Sequence, residues 1–330
     1  MAPMSERQSS CVAVLIGAAI AMAALCGAVS GQESKFPNRP IQLIVPYAAG
    51  GAVDQTARFL QQGLEKRLGQ NVLVINRPGA STTLGTLQAA RAAPDGHTIV
   101  MVSLPHVSNY TLLKEMPYAQ SDFIPITTVT NQWSVLVVNP SLPLKTLSEV
   151  IAYIKTRPGE VNYGTFGVGT SAHLAALLFE SMTGTKMQAV HYRGGAPTAV
   201  GVMTGEVQMA FGTALSAGGG IAGGQLRAIA VTSEKRLVLL PDVPTAREQG
   251  LDYVHGSWFG ILAPARTPDP IVRRLYDVIK GTMAQPEVQK PIRDAGNEVW
   301  VTSPEEFARF IANETKLWAG VLKGLSITQQ

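Results

Sequence analysis

The strongest constraint on this chain is an alternation. Between residues 41 and 103, three apolar runs of strand length (41–47, 71–77 and 97–103) are separated by two helical patterns, 52–68 and 82–93. In the first helical pattern Val53, Ala57, Leu60, Leu64 and Leu68 recur at intervals of four, three, four and four, which is one face of a helix. Asp54 sits in its first turn and Lys66 and Arg67 in its last, where the helix dipole favours them. Gly69 is placed to end it. Pro94-Asp95-Gly96 is a turn before the third strand. Strand, helix and strand in this rhythm predict a parallel sheet with helices on its faces.

The rhythm breaks twice. The segments 123–129 (FIPITTV) and 133–139 (WSVLVVN) follow one another with no helix between them, so the chain is expected to cross into a second lobe near residue 132. There the pattern resumes, with helices at 146–157, 171–182 and 196–204 and strands at 161–164, 187–192, 207–212 and 226–231. The apolar run 257–265 fits a helix poorly and reads as the return crossing. A helix at 268–284, a short helix at 286–295, a strand at 298–302 and a helix from Pro304 complete the chain. Ser303 is the expected N-cap of that last helix, with Glu306 in the capping-box position. The expected fold is α/β. One lobe is built from 31–132 and 258–330 and the other from 133–257, each a mixed or parallel sheet flanked by helices, joined by two crossover strands.

Residues 1–30 read as an export signal: Arg7 in a short polar start, an apolar stretch from Val12 to Cys26, and Ala28-Val29-Ser30 as a cleavage site. Leu25 before Cys26 is larger than a lipid-attachment site prefers. Both cysteines, Cys11 and Cys26, lie in this leader, so the mature chain has no disulfide and no thiolate chemistry. No later segment has eighteen uninterrupted apolar residues. The net charge of +4 comes from scattered basic residues without a Lys/Arg run or interleaved aromatics, which argues against nucleic-acid binding.

Two loops carry the chemistry. After the first strand, Tyr47 leads through Ala48, Ala49, Gly50, Gly51 and Ala52 into a helix. Bare amides at a helix start make an anion site, and small side chains let a carboxylate reach them. The same loop is also readable as a tight turn that binds nothing. Asn162 to His173 (NYGTFGVGTSAH) repeats the design in the second lobe, with Thr170 or Ser171 as helix cap. Gly167-x-Gly169-x-x-Ala172 there resembles a dinucleotide fingerprint. The following strand, however, ends in AVHYRG with no acid for a ribose hydroxyl, so no cofactor is expected. The sequence has no phosphate-binding GxxxxGK[ST], no GxSxG and no HExxH, and the histidines (97, 106, 173, 191, 255) show no metal spacing. His106 after the third strand and His173 in a first helical turn are candidates to line the cleft. Asp54 is readable either as a group facing the ligand or as a simple first-turn charge.

The stretches FPNRPIQLIVPYAAGGAVDQTAR, NVLVINRPGASTTLGTLQAARAAPDGHTIVM, NYGTFGVGTSAHLAALLFE, VHYRGGAPTAVGVMTGEVQMAF, LPDVPTAREQGL and GILAPARTPDPIVRRL resemble the Bug-type extracytoplasmic solute receptors of tripartite tricarboxylate transporters, over the whole mature chain. The resemblance implies a type II-like, Venus-flytrap receptor in the periplasm, with its leader cleaved near Ser30. It would be a monomer, not an enzyme, with no metal or cofactor. It would bind a small carboxylate (a di- or tricarboxylate or an aromatic one) and present it to membrane transporter subunits. It places the ligand against Tyr47–Asp54, against Thr165, Phe166, Gly169, Thr170 and Ser171, and against Ser103 and His106; His173 joins them as a candidate from its place in the first helical turn. Thr213 and Ser216 complete the pocket, with the HYRGG turn nearby. Phe166 and Leu104, larger than expected in such loops, favour a ligand with an apolar body. Two other readings stand beside this one. One is an exported hydrolase or isomerase using His106 or His173 as base, and the other a sensory ligand-binding module.

Overall fold

The alternation read from the sequence is what the chain builds. The computed structural model describes residues 36–192, 194–294 and 296–324, and the expected leader over 1–30, with both cysteines, lies outside them. The first elements are β1 (Ile41–Val45), α1 (Ala52–Leu68), β2 (Val72–Asn76), α2 (Thr83–Ala90), β3 (Thr98–Val102), α3 (Pro105–Leu112) and β4 (Phe123–Val138). Then come α4 (Leu147–Lys155), β5 (Asn162–Thr165), α5 (Ser171–Thr183), β6 (Gln188–His191), α6 (Gly195–Thr204), β7 (Met209–Thr213), α7 (Ala214–Ala222) and β8 (Arg227–Val231). The chain closes with β9 (Gly256–Pro264), α8 (Asp269–Met283), α9 (Pro286–Asp294), β10 (Glu298–Val299) and α10 (Pro304–Gly324).

Local chemistry explains the element ends. α1 buries Val53, Ala57, Leu60, Leu64 and Leu68, and Gly69 closes it in the left-handed region, its N–H donating to the Glu65 carbonyl at 2.9 Å. At α10 the Glu306 amide donates to Ser303 Oγ at 3.1 Å and the Ser303 amide donates to Glu306 Oε2 at 2.8 Å, the reciprocal capping expected there. Thr146 and Glu149 do the same for α4.

β4 is where the two halves meet. Its 16 residues are one continuous strand, not the two segments its sequence suggests. Phe123–Trp133 pair antiparallel with β9, and Ser134–Val138 pair antiparallel with β7 and β8. One half-sheet runs β2-β1-β3-β9-β4-β10, with β1 parallel to β2 and β3. The other runs β8-β4-β7-β5-β6, with β5 parallel to β6 and β7. The run expected to be the return crossing forms β9, whose Gly256 pairs with Trp133 and which lies between β3 and β4.

Helices pack on both halves: α1 against α8, α6 against α7, and α10 against α3, α5 and β4. Trp258, Trp318, Phe307, Tyr163 and Phe211 are among the largest fully buried side chains. No helix among the described residues is long and apolar enough to cross a membrane.

Candidate functional site

The parallel strands of both half-sheets end in the same kind of feature. Each carboxyl end of β1, β3, β5, β6 and β7 leads, within a few residues, into the start of a helix. Crevices outside such strand ends are where open α/β sheets bind ligands. Here one cavity of about 630 Å³ is lined by the starts of five helices: Gly51, Ala52 and Val53 of α1; Leu104 and Pro105 of α3; Thr170 and Ser171 of α5; Gly194, Gly195 and Ala196 of α6; Thr213 and Ser216 of α7. Gln132 of β4 and Ser257 and Phe259 of β9 line it too, and Tyr47, Ser103 and Phe166 complete it. None of these residues carries a charge at neutral pH.

Four of the five helix starts have no side-chain cap, and of these α3 begins with Pro105, which has no N–H to offer. Gly51, Thr170 and Gly194 are the N-caps of α1, α5 and α6, and none makes a side-chain cap hydrogen bond. The glycines have no side chain to offer. Thr170 turns its hydroxyl away and donates it to the Gly167 carbonyl at 2.7 Å. The first-turn residues Ala52, Val53, Ser171, Gly195 and Ala196 border the cavity, at helix starts whose amides have no side-chain cap. α7 differs: Thr213 and Ser216 cap each other reciprocally, the Ser216 amide donating to Thr213 Oγ1 and the Thr213 amide to Ser216 Oγ, each near 3 Å. α6 comes this close to α7 because it starts with glycine. Gly194 has φ +119°, and a Cβ on Gly195 would stand 2.8 Å from Ser216 Cβ.

Side chains around the cavity are held from behind. Tyr47 and Ser103, at the ends of β1 and β3, are 2.5 Å apart, hydroxyl to hydroxyl, and burial pushes the Tyr47 phenol far above its ordinary pKa. Asp54 does not line the cavity. It is 1% exposed and accepts from the Gly50 amide (2.8 Å), Arg58 Nε (3.0 Å) and Asn76 Nδ2 (2.9 Å). Burial opposes its charge, but those hydrogen bonds, led by the one from Arg58, outweigh it and hold the carboxyl below its usual value of 3.8. Its role is to clamp the β1–α1 turn to the end of β2, since Asn76 Nδ2 also donates to the Tyr47 carbonyl at 3.1 Å. Asp54→Ala is expected to cost about 1–3 kcal/mol at pH 7, because it leaves partly buried donors unpaired. A carboxyl with a depressed folded-state pKa stabilises above its unfolded value and loses that contribution as pH falls through the folded one. The gap between wild type and variant, read from urea midpoints, is therefore full at pH 7 and shrinks below about pH 3.8.

The remaining expected residues fall away from the cavity wall. Ala48, Ala49 and Gly50 form the exposed crest of the β1–α1 turn. Thr165 is buried beneath the β5–α5 loop, its hydroxyl within 3.1 Å of the Gly167 carbonyl. Gly169 does not line the large cavity, and its amide donates to His173 Nδ1 at 3.1 Å. His173 thus braces that loop from behind, its ring stacked 6.5 Å from Tyr163, and its pKa is pulled down to about 4 by burial with His191 adding to the effect. The expectation that His106 faces the cleft is corrected. It is 3% exposed, packed against Tyr118 and Phe123, and burial takes its pKa to about 4. Neither His106 nor His173 is among the residues that line the cavity.

The sequence reading put the HYRGG turn, with Gly194 and Gly195, near the pocket without naming them as ligand contacts, and gave no ligand role to Ala196, Gln132, Ser257 or Phe259. The signal at that turn was visible in principle: VHYRGGAP is again a strand, glycines and a helix start, with Pro197 in its first turn. Among the described residues no group of three His, Cys, Asp or Glu is placed to hold a metal ion.

Comparison with known proteins bears on this arrangement. The sequence model of a family described as "Tripartite tricarboxylate transporter family receptor" matches residues 56–327. Protein BugT of Bordetella pertussis is 35% identical over 313 residues, covering 94% of this chain and 95% of BugT. The structure of the periplasmic binding protein BugD superposes with a TM-score of 0.75 at 30% identity, covering 89% of this chain and 100% of BugD. MatC from Rhodopseudomonas palustris, solved with bound malate, gives 0.74 at 30% identity, covering 87% and 99%. The fold here is theirs, an α/β protein of two lobes.

Proposed function

The chain belongs to the tripartite tricarboxylate transporter family of receptors, and we propose that its cavity captures a small carboxylate between two lobes for delivery to membrane transporter subunits. The single observation that carries this reading is the convergence of helix starts with uncapped amides, α1, α5 and α6 from both half-sheets, on one cavity with no charged side chain among the described residues that line it. A carboxylate placed there accepts hydrogen bonds from the first-turn amides of α1, α5 and α6 and from the Ser171 and Ser257 hydroxyls. Hydrogen bonds to a charged group contribute about 1.5–3 kcal/mol each. The helix dipoles replace the missing counter-ion.

In this reading the lobes are 31–132 with 258–330, and 133–257. A ligand bridging α1 with α5 and α6 favours the closed arrangement by its differential affinity for it, so occupancy becomes a change of shape that a transporter recognises. The protein acts in the periplasm as a monomer, after removal of a leader near Ser30, and returns its ligand chemically unchanged. MatC's malate and the apolar side chains Phe166, Phe259 and Leu104 around the cavity both support a carboxylate with a compact organic body.

A thermal-shift panel of carboxylates tests the reading. A bound ligand at one hundred times its Kd stabilises the protein by about 2.7 kcal/mol. Equal melting temperatures across the panel, or turnover of a carboxylate ester by the purified protein, overturn it.

A further inference from the structure

A second cavity, of about 140 Å³, adjoins the first and shares Tyr47, Pro105 and Thr170 with it. We propose that it is an annex of the ligand site, shaped for an apolar tail, so that the preferred ligand is a monocarboxylate with an alkyl or aryl extension. This rests on the carboxylate reading given above and goes beyond it.

The annex has two walls. One is formed by Leu112 and Leu113 at the end of α3 with Asn109, Ser81 and Thr82, and the other by Val168 and Gly169 of the β5–α5 loop. In the lobe division given above they belong to different lobes, so a tail lying there is gripped from both sides. The walls come close at one point, where a Cβ on Gly169 would stand 3.2 Å from Leu112 Cδ1.

Much of the polar chemistry around the annex is already occupied within the protein. Asn109 Nδ2 donates to the Ser81 carbonyl at 2.7 Å, Tyr47 pairs with Ser103, and Thr170 donates to Gly167. The Ser81 contact holds an unusual wall: Ala80, Ser81 and Thr82 are three consecutive non-glycine residues at positive φ (45°, 50° and 77°). Backbone in that region persists only where its surroundings fix it. What the annex then offers is mainly the side chains of Leu112, Leu113 and Val168, beside the Ser81 and Thr82 hydroxyls. Val168 is 41% exposed, an apolar surface that a tail would cover. Among the described residues no lysine or arginine lines the annex, so a second carboxylate entering it loses water and gains no counter-charge there.

The volume sets the length. At about 30 Å³ for a water-sized group, the annex takes roughly four or five tail atoms. A methylene moved from water to an apolar site improves binding about fourfold.

The test is calorimetric titration of the full mature chain with linear monocarboxylates from butanoate to decanoate, and with octanedioate. Affinity is expected to rise about fourfold per methylene over a stretch of four or five methylenes, and octanoate to bind at least tenfold more tightly than octanedioate. Val168→Asn, at an exposed position, is expected to flatten the rise with chain length. A profile independent of length, octanedioate matching octanoate, or an undiminished slope in Val168→Asn overturns the annex. If short carboxylates bind in any of those cases, the carboxylate reading survives; if no carboxylate binds at all, both fall.

Discussion

Gly51→Glu is expected to weaken carboxylate binding by more than a hundredfold while leaving the fold intact. Gly51 caps α1 at φ −76° and ψ 168°, an extended conformation any residue adopts. A Cβ there meets nothing nearer than the Ala48 carbonyl oxygen at 3.5 Å, so the backbone has no steric reason to move. The new carboxylate lies at the mouth of α1, beside the Ala52 and Val53 amides. There it satisfies those amides from within the protein and repels an anion that approaches them. Loss of two charge-assisted hydrogen bonds at about 1.5–3 kcal/mol each corresponds to a factor on the order of a hundred or more. Gly51→Ala separates charge from bulk: its methyl has room, and its affinity is expected to stay within about tenfold of wild type, because one side-chain contact is worth less than a charge at this site. Titration of both variants against a carboxylate that shifts the wild-type melting temperature decides the matter. Full affinity in Gly51→Glu removes α1 from the site.

Part of the candidate site was legible in the sequence for a physical reason. Free amides need small residues around them, so a run such as Ala48-Ala49-Gly50-Gly51 between a strand and an amphipathic helix announces itself, as does Gly167–Thr170. The α6 start carried the same signal in Gly194-Gly195, which the family resemblance puts near the pocket, but its close approach to α7 shows only in the fold. α7 itself was hidden because Gly218, Gly219 and Gly220 each disfavour a helix by about 1 kcal/mol relative to alanine. Tertiary contact explains at least one of them, since a Cβ on Gly220 would fall 2.4 Å from Met203 Cε. α3 was hidden by its brevity and by Pro105 at its start. Strand alternation cannot tell which face of β4 or β9 borders a cavity, so Gln132, Ser257 and Phe259 were out of reach. The histidines misled for the opposite reason. A polar residue just after a strand end looks like a cleft residue, yet His106 turns toward Tyr118 and Phe123 because an aromatic cluster is there to receive it.

Gly260→Val is expected to be the most destabilising single change in the β9 region, and its partner can be named. Gly260 sits in the middle of β9, opposite Val102 of β3 and Thr128 of β4, so the strand cannot shift sideways without breaking two ladders. A Cβ there would lie 2.2 Å from Phe307 Cζ and 2.7 Å from its Cε1. The Phe307 ring has nowhere to retreat: it is fully buried and stands edge-on to Trp258 at 5.6 Å. Gly260→Ala is expected to cost about 1–3 kcal/mol by overpacking, and Gly260→Val, with two further methyl groups, more than Gly260→Ala. Phe307→Leu, which shortens the obstructing side chain, is expected to restore part of the loss. In the double-mutant cycle of Gly260→Ala with Phe307→Leu, the pair is predicted to be less destabilised than the sum of the singles by about 0.5–3 kcal/mol, read from urea midpoints. Simple additivity would mean that Phe307 is not what excludes a side chain from this position. Because Phe259, the next residue along, lines the cavity, Gly260→Ala is also expected to weaken carboxylate binding, and Phe307→Leu to recover binding along with stability.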